Sequence, residues 1–195
     1  MSAPLPDRAI LRRRLLAARD RLAPSERRAA AAAITARLHG RLRTTTGAIA
    51  LYWPIRGEPD LRPLAAVLAA EGRTLALPVI VARRAPMVFR RWRVGRPLVR
   101  GVWDIPIPPA DEAELDPEVV VVPVVGVGPA GHRLGYGGGY YDRTLARRRP
   151  RLVVGVGHRG ARLARFAAAP HDRPLDLFVH PGGIVSFRDG RAPAP

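Results

Sequence analysis

Apolar positions follow two rhythms along this chain, helical near the start and strand-like in short runs after it. Leu11, Leu15, Ala18 and Leu22 fall three or four residues apart, which predicts an amphipathic helix capped by Asp7, with arginine on its other face. Pro24 and Ser25 interrupt that pattern, and an alanine-rich stretch from about 26 to 38, closed by Gly40, predicts a second helix. Residues 47–53 (GAIALYW) and 74–80 (TLALPVI) read as strands around a helix that Asp60 caps and Gly72 ends, a β-α-β unit. Residues 87–94 predict a short strand with an exposed face, and 97–117 a proline-rich, acidic connection to which no chemistry is assigned. The valine run in 118–126 requires a central strand covered on both faces. A helix from Tyr140 to about Arg148, a strand over 152–157, a helix over about 161–168 and the segment PHDRPLDLFVH complete the pattern. The fold class expected is α/β: one three-layer α/β/α domain around a mostly parallel sheet, preceded by two N-terminal helices.

With 195 residues the chain holds one domain, 1–195, with flexible tails expected over 1–6 and 189–195. No window approaches the ~18 uninterrupted apolar residues of a membrane span. The first residues carry charge where an export signal needs an apolar centre, and cysteine is absent, so a cytoplasmic monomer without membrane contact is expected. The net charge of +17 raises an arginine-driven RNA-binding role, since basic surfaces attract phosphate backbones. All 33 basic residues are arginine, however, and lysine, asparagine and glutamine are missing, which indicates compositional bias. The arginines are spread from Arg8 to Arg191, as solvated surface would be, and no specific nucleic acid is expected. Without lysine or cysteine there is no Walker A loop, Schiff base or thiolate. None of the three serines lies in a nucleophile elbow.

Candidate chemistry concentrates in residues 131–143, GHRLGYGGGYYDR. Gly135, Gly137, Gly138 and Gly139 leave backbone amides uncovered, and such a run can fold into a concave ring of donors for phosphate oxygens. The helix starting at Tyr140 would point its positive end at the same anion. Arg133 supplies a cation; Asp142, in the first helical turn, can stabilise the turn or hold magnesium. Glu58 follows a strand end, where open α/β sheets bind ligands, and is either an acceptor for a polar heterocycle or a capping residue. Two G-x-G-x-x-G strings, Gly126–Gly131 and Gly155–Gly160, leave no room for a dinucleotide half-domain. His171 and His180 match no zinc spacing.

The segment Arg133 to Arg143 resembles the signature of the 5-formyltetrahydrofolate cyclo-ligase family, R-L-G-x-G-(G/K)-G-(Y/F)-Y-D-R. The resemblance extends from Arg8 to about His180. It implies an enzyme that uses ATP as co-substrate to cyclise 5-formyltetrahydrofolate to 5,10-methenyltetrahydrofolate, releasing ADP and phosphate. It further implies ATP contacts at Arg8, Arg12, Arg133, Leu134, Gly135, Tyr136, Gly137, Gly138, Gly139, Tyr140 and Tyr141. Folate contacts are implied at Trp53, Glu58 and Tyr140, and magnesium at Asp142 and Asp172. Read without it, Trp53 is equally a core residue and Asp172 a turn residue. Three positions depart from the family: Arg8 replaces lysine, Val127-Gly128 replaces Phe-Asp, and His180 stands where threonine is common. A divergent paralogue that binds folate or nucleotide without turnover is the alternative reading.

Overall fold

The computed structural model describes residues 7–170 and 172–188, so the expected tails 1–6 and 189–195, and His171, lie outside the described residues. In chain order the helices and first strands are α1 (Arg8–Asp20), α2 (Pro24–Leu42), β1 (Ile49–Ala50), α3 (Arg62–Ala70), β2 (Leu75–Val79) and β3 (Val88–Arg91). There follow β4 (Val99–Arg100), β5 (Pro106–Ile107), β6 (Glu114–Leu115), β7 (Val119–Pro123), β8 (Gly126–Val127) and β9 (Arg133–Leu134). The chain closes with α4 (Tyr140–Arg147), β10 (Leu152–Val156), β11 (Leu177–His180) and β12 (Gly183–Ser186).

Eight strands form one sheet in the order β12-β11-β10-β7-β1-β2-β3-β6. Its inner strands β11, β10, β7, β1 and β2 are parallel, while β12 at one edge and β3 near the other run against them, and β6 pairs antiparallel with β3. The valine run places β7 at the centre, as expected. Val119 and Val121 pack in the core that holds Ile34 and Leu38 of α2 and Leu64 and Leu68 of α3. Val120 and Val122 join Leu145 of α4 and Phe178 in the other core. Helices on both faces of a mostly parallel sheet give the three layers. Two small hairpins, β4–β5 and β8–β9, stand outside the main sheet.

Four expectations are corrected. The second helix does not stop at Gly40 but runs to Leu42, which is fully buried. A glycine in a helix costs ~1 kcal/mol, and burying a leucine contributes about 1.5–3 kcal/mol, so packing prevails. The helix expected over 161–168 is instead a 3-10 turn, Arg159–Ala161, followed by irregular chain. There the Leu163 amide donates to the Val127 carbonyl at 2.9 Å, and that tether to β8 overrides the alanine-rich helix preference. The strand expected over 47–53 is confined to Ile49–Ala50, after which the Leu51 amide makes one more bond to the Ala76 carbonyl before the chain enters the loop that holds Glu58. In α1, Ala18 is exposed and Arg19 is buried in its stead, beside Leu11 and the half-buried Leu15.

Candidate active site

The buried face of α1 explains that exchange. Asp7 caps the helix by accepting from the amides of Ala9 and Ile10 at 2.6 and 3.1 Å. Arg8, Arg12, Leu15 and Arg19 then fall at i, i+4, i+7 and i+11, one helical face, which turns toward the carboxyl ends of the strands. Arg12 Nε donates to the Gly135 carbonyl at 2.6 Å, and Arg19 donates to the Val124 carbonyl at 2.7 Å and to the Tyr136 hydroxyl at 2.8 Å. This face of α1 thus grips the glycine loop through Arg12 and Arg19. Arg19 was missed because arginine is normally read as surface; its spacing from Arg8 and Arg12 was the available signal.

Beneath α1 the strand ends, the glycine loop and the start of α4 enclose a cavity of about 390 Å³. Every residue expected at the site lines it except Leu134, which is fully buried in β9 and packs away from the cavity. The cavity has two differently furnished parts. One is lined by Arg8, Arg12, Arg133, Gly135 to Gly139, Asp142 and Asp172. The other is lined by Tyr52, Trp53, Ile55, Glu58, Leu77, Ile80, Met87 and Ile105. Tyr140 and Trp103, edge to face with ring centroids 5.7 Å apart, stand at the rim.

The glycine loop has the form its composition predicts. Gly137 has φ +100° and Gly139, the N-cap of α4, has φ +66°, so both need the left-handed region that glycine reaches without strain. The Gly138 carbonyl accepts from Arg143 at 2.7 Å. Among the described residues, none of the amides of Tyr136, Gly137, Gly138 and Gly139 donates to another backbone group, so the loop turns its carbonyls to arginines and leaves its donors open. The Arg12 fork lies beside Gly137, about where a Cβ there would meet it at 3.6–3.7 Å.

Cations and carboxylates alternate around these donors. Arg133 donates to Asp142 Oδ2 at 2.8 Å, leaving Arg133 Nε and Asp142 Oδ1 buried without a hydrogen-bond partner among the described residues. Arg8 donates to both oxygens of Asp172 at 2.6 and 3.2 Å, and the Ala169 amide also donates to Asp172 Oδ2. No group of three or more His, Asp or Glu side chains converges among the described residues. A magnesium ion needs no such cluster, because it is commonly held by one or two carboxylates with water and phosphate oxygens completing its shell. The orphaned oxygen of Asp142, a residue that lines the cavity, suits that requirement.

Glu58 enters from the loop after β1. Arg56 and Gly57, at φ +46° and +70°, turn the chain so that the carboxyl faces inward, only 7% exposed. It accepts from the Ile55 amide at 2.9 Å and the Tyr136 hydroxyl at 2.8 Å, while His158 Nε2 meets the Gly57 carbonyl at 2.9 Å. Burial pushes the Glu58 carboxyl up to about 7, against which the two hydrogen bonds and the charges of Arg19 and Arg56 act. Burial and the same carboxyl also raise Tyr136 and Tyr141. Trp53 packs edge to face on Trp92 with centroids 6.0 Å apart and also lines the cavity. Trp103 was missed because it sits in the connection to which no chemistry was assigned. It is 68% exposed and, like Asp104, has left-handed backbone, φ +57° and +63°. Two such non-glycine residues in succession cost on the order of 1–3 kcal/mol each, a pattern common at ligand sites.

Comparison with known proteins fits this geometry to a family. The family model for 5-formyltetrahydrofolate cyclo-ligases matches residues 5–181. The chain belongs to that family. A 5-formyltetrahydrofolate cyclo-ligase from Mycolicibacterium smegmatis is 31% identical over 188 residues, covering 91% of this chain and 96% of that protein. One from Escherichia coli is 29% identical, with 70% of this chain and 79% of that protein covered. The solved 5,10-methenyltetrahydrofolate synthetase of Aquifex aeolicus superposes with a TM-score of 0.78 at 30% identity, over 96% of each chain. That of Mycoplasma pneumoniae shares the fold, with a TM-score of 0.74 at 24% identity over 90% of this chain and 99% of that one.

Two departures from the family pattern lie outside the cavity lining. A Cβ at Gly128 would meet Phe166 at 2.8 Å, so Val127-Gly128 makes room for that ring. His180 is buried, stacks on Phe178 with centroids 5.4 Å apart, and accepts from the Gly182 amide through Nδ1. Arg8, the third, lines the cavity.

Proposed function

We propose that this chain converts 5-formyltetrahydrofolate and ATP to 5,10-methenyltetrahydrofolate, ADP and phosphate, with magnesium required. The formyl oxygen attacks the γ-phosphoryl group and ADP departs. The neighbouring folate nitrogen then closes on the activated carbon, losing its proton, and the C–O bond breaks to release phosphate. Such a sequence needs positioning and charge neutralisation and no side-chain nucleophile, in keeping with a cavity lining that carries no serine, threonine, cysteine or lysine. The open amides of residues 136–139 and the forks of Arg12 and Arg133 bind phosphate oxygens. Glu58 accepts from the pterin N–H groups, with Trp53 and Tyr140 against the ring. Asp142 would hold magnesium, with Asp172 as a second carboxylate for the ion and Arg8 a cation for a phosphate oxygen. The ion, when bound, neutralises charge on the nucleotide phosphates.

The observation that carries this reading is the juxtaposition, in one cavity, of the unengaged amides of residues 136–139, the Arg12 fork and a buried carboxyl among aromatic rings. Mixing the pure protein with 5-formyltetrahydrofolate, ATP and magnesium should produce methenyltetrahydrofolate absorbance, and omitting ATP or magnesium should abolish it. Folded protein that gives no product, or gives it without ATP, refutes the reading.

A further inference from the structure

Tyr136 occupies the unspecified position of the glycine signature, and its hydroxyl does more than line the cavity. It accepts from Arg19 at 2.8 Å and donates to Glu58 Oε1 at 2.8 Å, making a continuous path from α1 through the glycine loop to the folate end. Arg19, 5% exposed, is also fixed by the Val124 carbonyl at the end of the central strand, so the anchor is tied to the sheet. Arg56 lies over the Tyr136 ring at 5.7 Å and holds it from the other side. The glycine loop holds two left-handed residues, Gly137 and Gly139, and its one large side chain is hydrogen-bonded to Glu58.

We propose that Tyr136, fixed by Arg19, is a positioning residue that couples the two halves of the site: nucleotide on the glycine loop sets the Tyr136 hydroxyl and thereby orients the Glu58 carboxyl for folate. The inference rests on the reading of Glu58 as a folate contact. Coupling of this kind is reciprocal, so folate must tighten nucleotide binding by the same factor. The groups facing the Glu58 carboxyl are Arg19 from α1, Arg56 from its own loop, Tyr136 from the glycine loop, Tyr52 from the segment after β1 and Tyr141 from α4. Arg19, Arg56 and the Tyr136 hydrogen bond favour the ionised carboxyl, so removing the hydroxyl moves the Glu58 titration to higher pH.

The test is calorimetric. The dissociation constant of 5-formyltetrahydrofolate is measured with and without magnesium and a non-hydrolysable ATP analogue, across a pH series. In the unaltered protein the analogue should tighten folate binding by roughly five- to a hundredfold, a typical coupling. In Tyr136→Phe, which keeps the ring, that effect should fall to about twofold or less, and the acid limb of folate affinity should move to higher pH. A purely structural role for Tyr136 would weaken both ligands and leave the coupling factor and the pH profile in place. Absence of coupling in the unaltered protein overturns the proposal without recourse to any variant, so misfolding of Tyr136→Phe cannot shield it. Glu58→Gln run alongside separates the two levels. If it leaves folate affinity unchanged, the Glu58 reading and the coupling fall together. If it weakens folate while Tyr136→Phe retains full coupling, the coupling alone is wrong.

Discussion

Burying Glu58 sets its titration against the stability of the fold. Its folded value of about 7 lies above the ordinary 4.5, so the folded protein keeps this proton longer than the unfolded chain. The associated stability is complete below about pH 4.5 and is lost as pH rises through about 7. Relative to Glu58→Gln, the unaltered protein should therefore lose on the order of 1–3 kcal/mol between about pH 5 and 8 in urea unfolding; a pH-independent difference between the two would contradict the assignment. Asp142→Asn should fold normally and raise the magnesium concentration needed for turnover, because it weakens the oxygen that lacks a partner; an unchanged magnesium dependence would return Asp142 to pairing with Arg133 alone. At Gly137 a Cβ has space, with Arg12 3.6 Å away, but φ +100° strains it. Gly137→Ala should weaken ATP about ten- to a hundredfold, since a disturbed donor costs on the order of 1–3 kcal/mol. ATP affinity within twofold of the original, measured by titration, would remove the phosphate role of the loop. At this scale the sequence revealed residues whose chemistry is unusual where they stand, the glycines and Glu58. It hid Arg19, because an arginine among 33 carries no mark of burial until the hydroxyl and carbonyl that satisfy it are known.

Elements were legible wherever local pattern and tertiary packing agreed. The cap at Asp7, the valine strand and the glycine loop leading into α4 belong to that group. The helix expected over 161–168 failed because its preference is local, whereas the bond from Leu163 to Val127 joins distant residues. The strand β12 gave no periodic signal in four residues and exists by pairing with β11. Helix α1 shows the reverse relation, in which a correctly placed element had its facing misread by one residue, from Ala18 to Arg19. Since α1 carries Arg8, Arg12 and Arg19, its N-cap should matter to the ligand. Asp7→Ala is expected to cost about 1 kcal/mol of stability and to weaken ATP binding measurably, the latter followed by titration at a temperature where the protein remains folded. Lost stability with unchanged nucleotide affinity would show that the cap does not position the arginines.

Across the whole molecule, the mostly parallel sheet brings its ligand loops to the carboxyl ends of the strands, and α1 covers them. Of the 33 arginines behind the charge of +17, Arg8, Arg12 and Arg133 line the cavity, and most of the others are spread along the chain. Binding to arbitrary RNA should accordingly be weak and fall steeply with added salt; sequence-selective, submicromolar binding at physiological salt would contradict that reading. The central claim is that phosphate donors and folate acceptor serve a single ATP-driven ring closure. The most direct test counts ADP and methenyltetrahydrofolate in the same reaction of the pure protein with ATP, magnesium and 5-formyltetrahydrofolate. The account predicts one ADP for each methenyl product, and negligible ADP when folate is omitted. Methenyl product formed without ADP, or ADP formed at the same rate with no folate present, would contradict it.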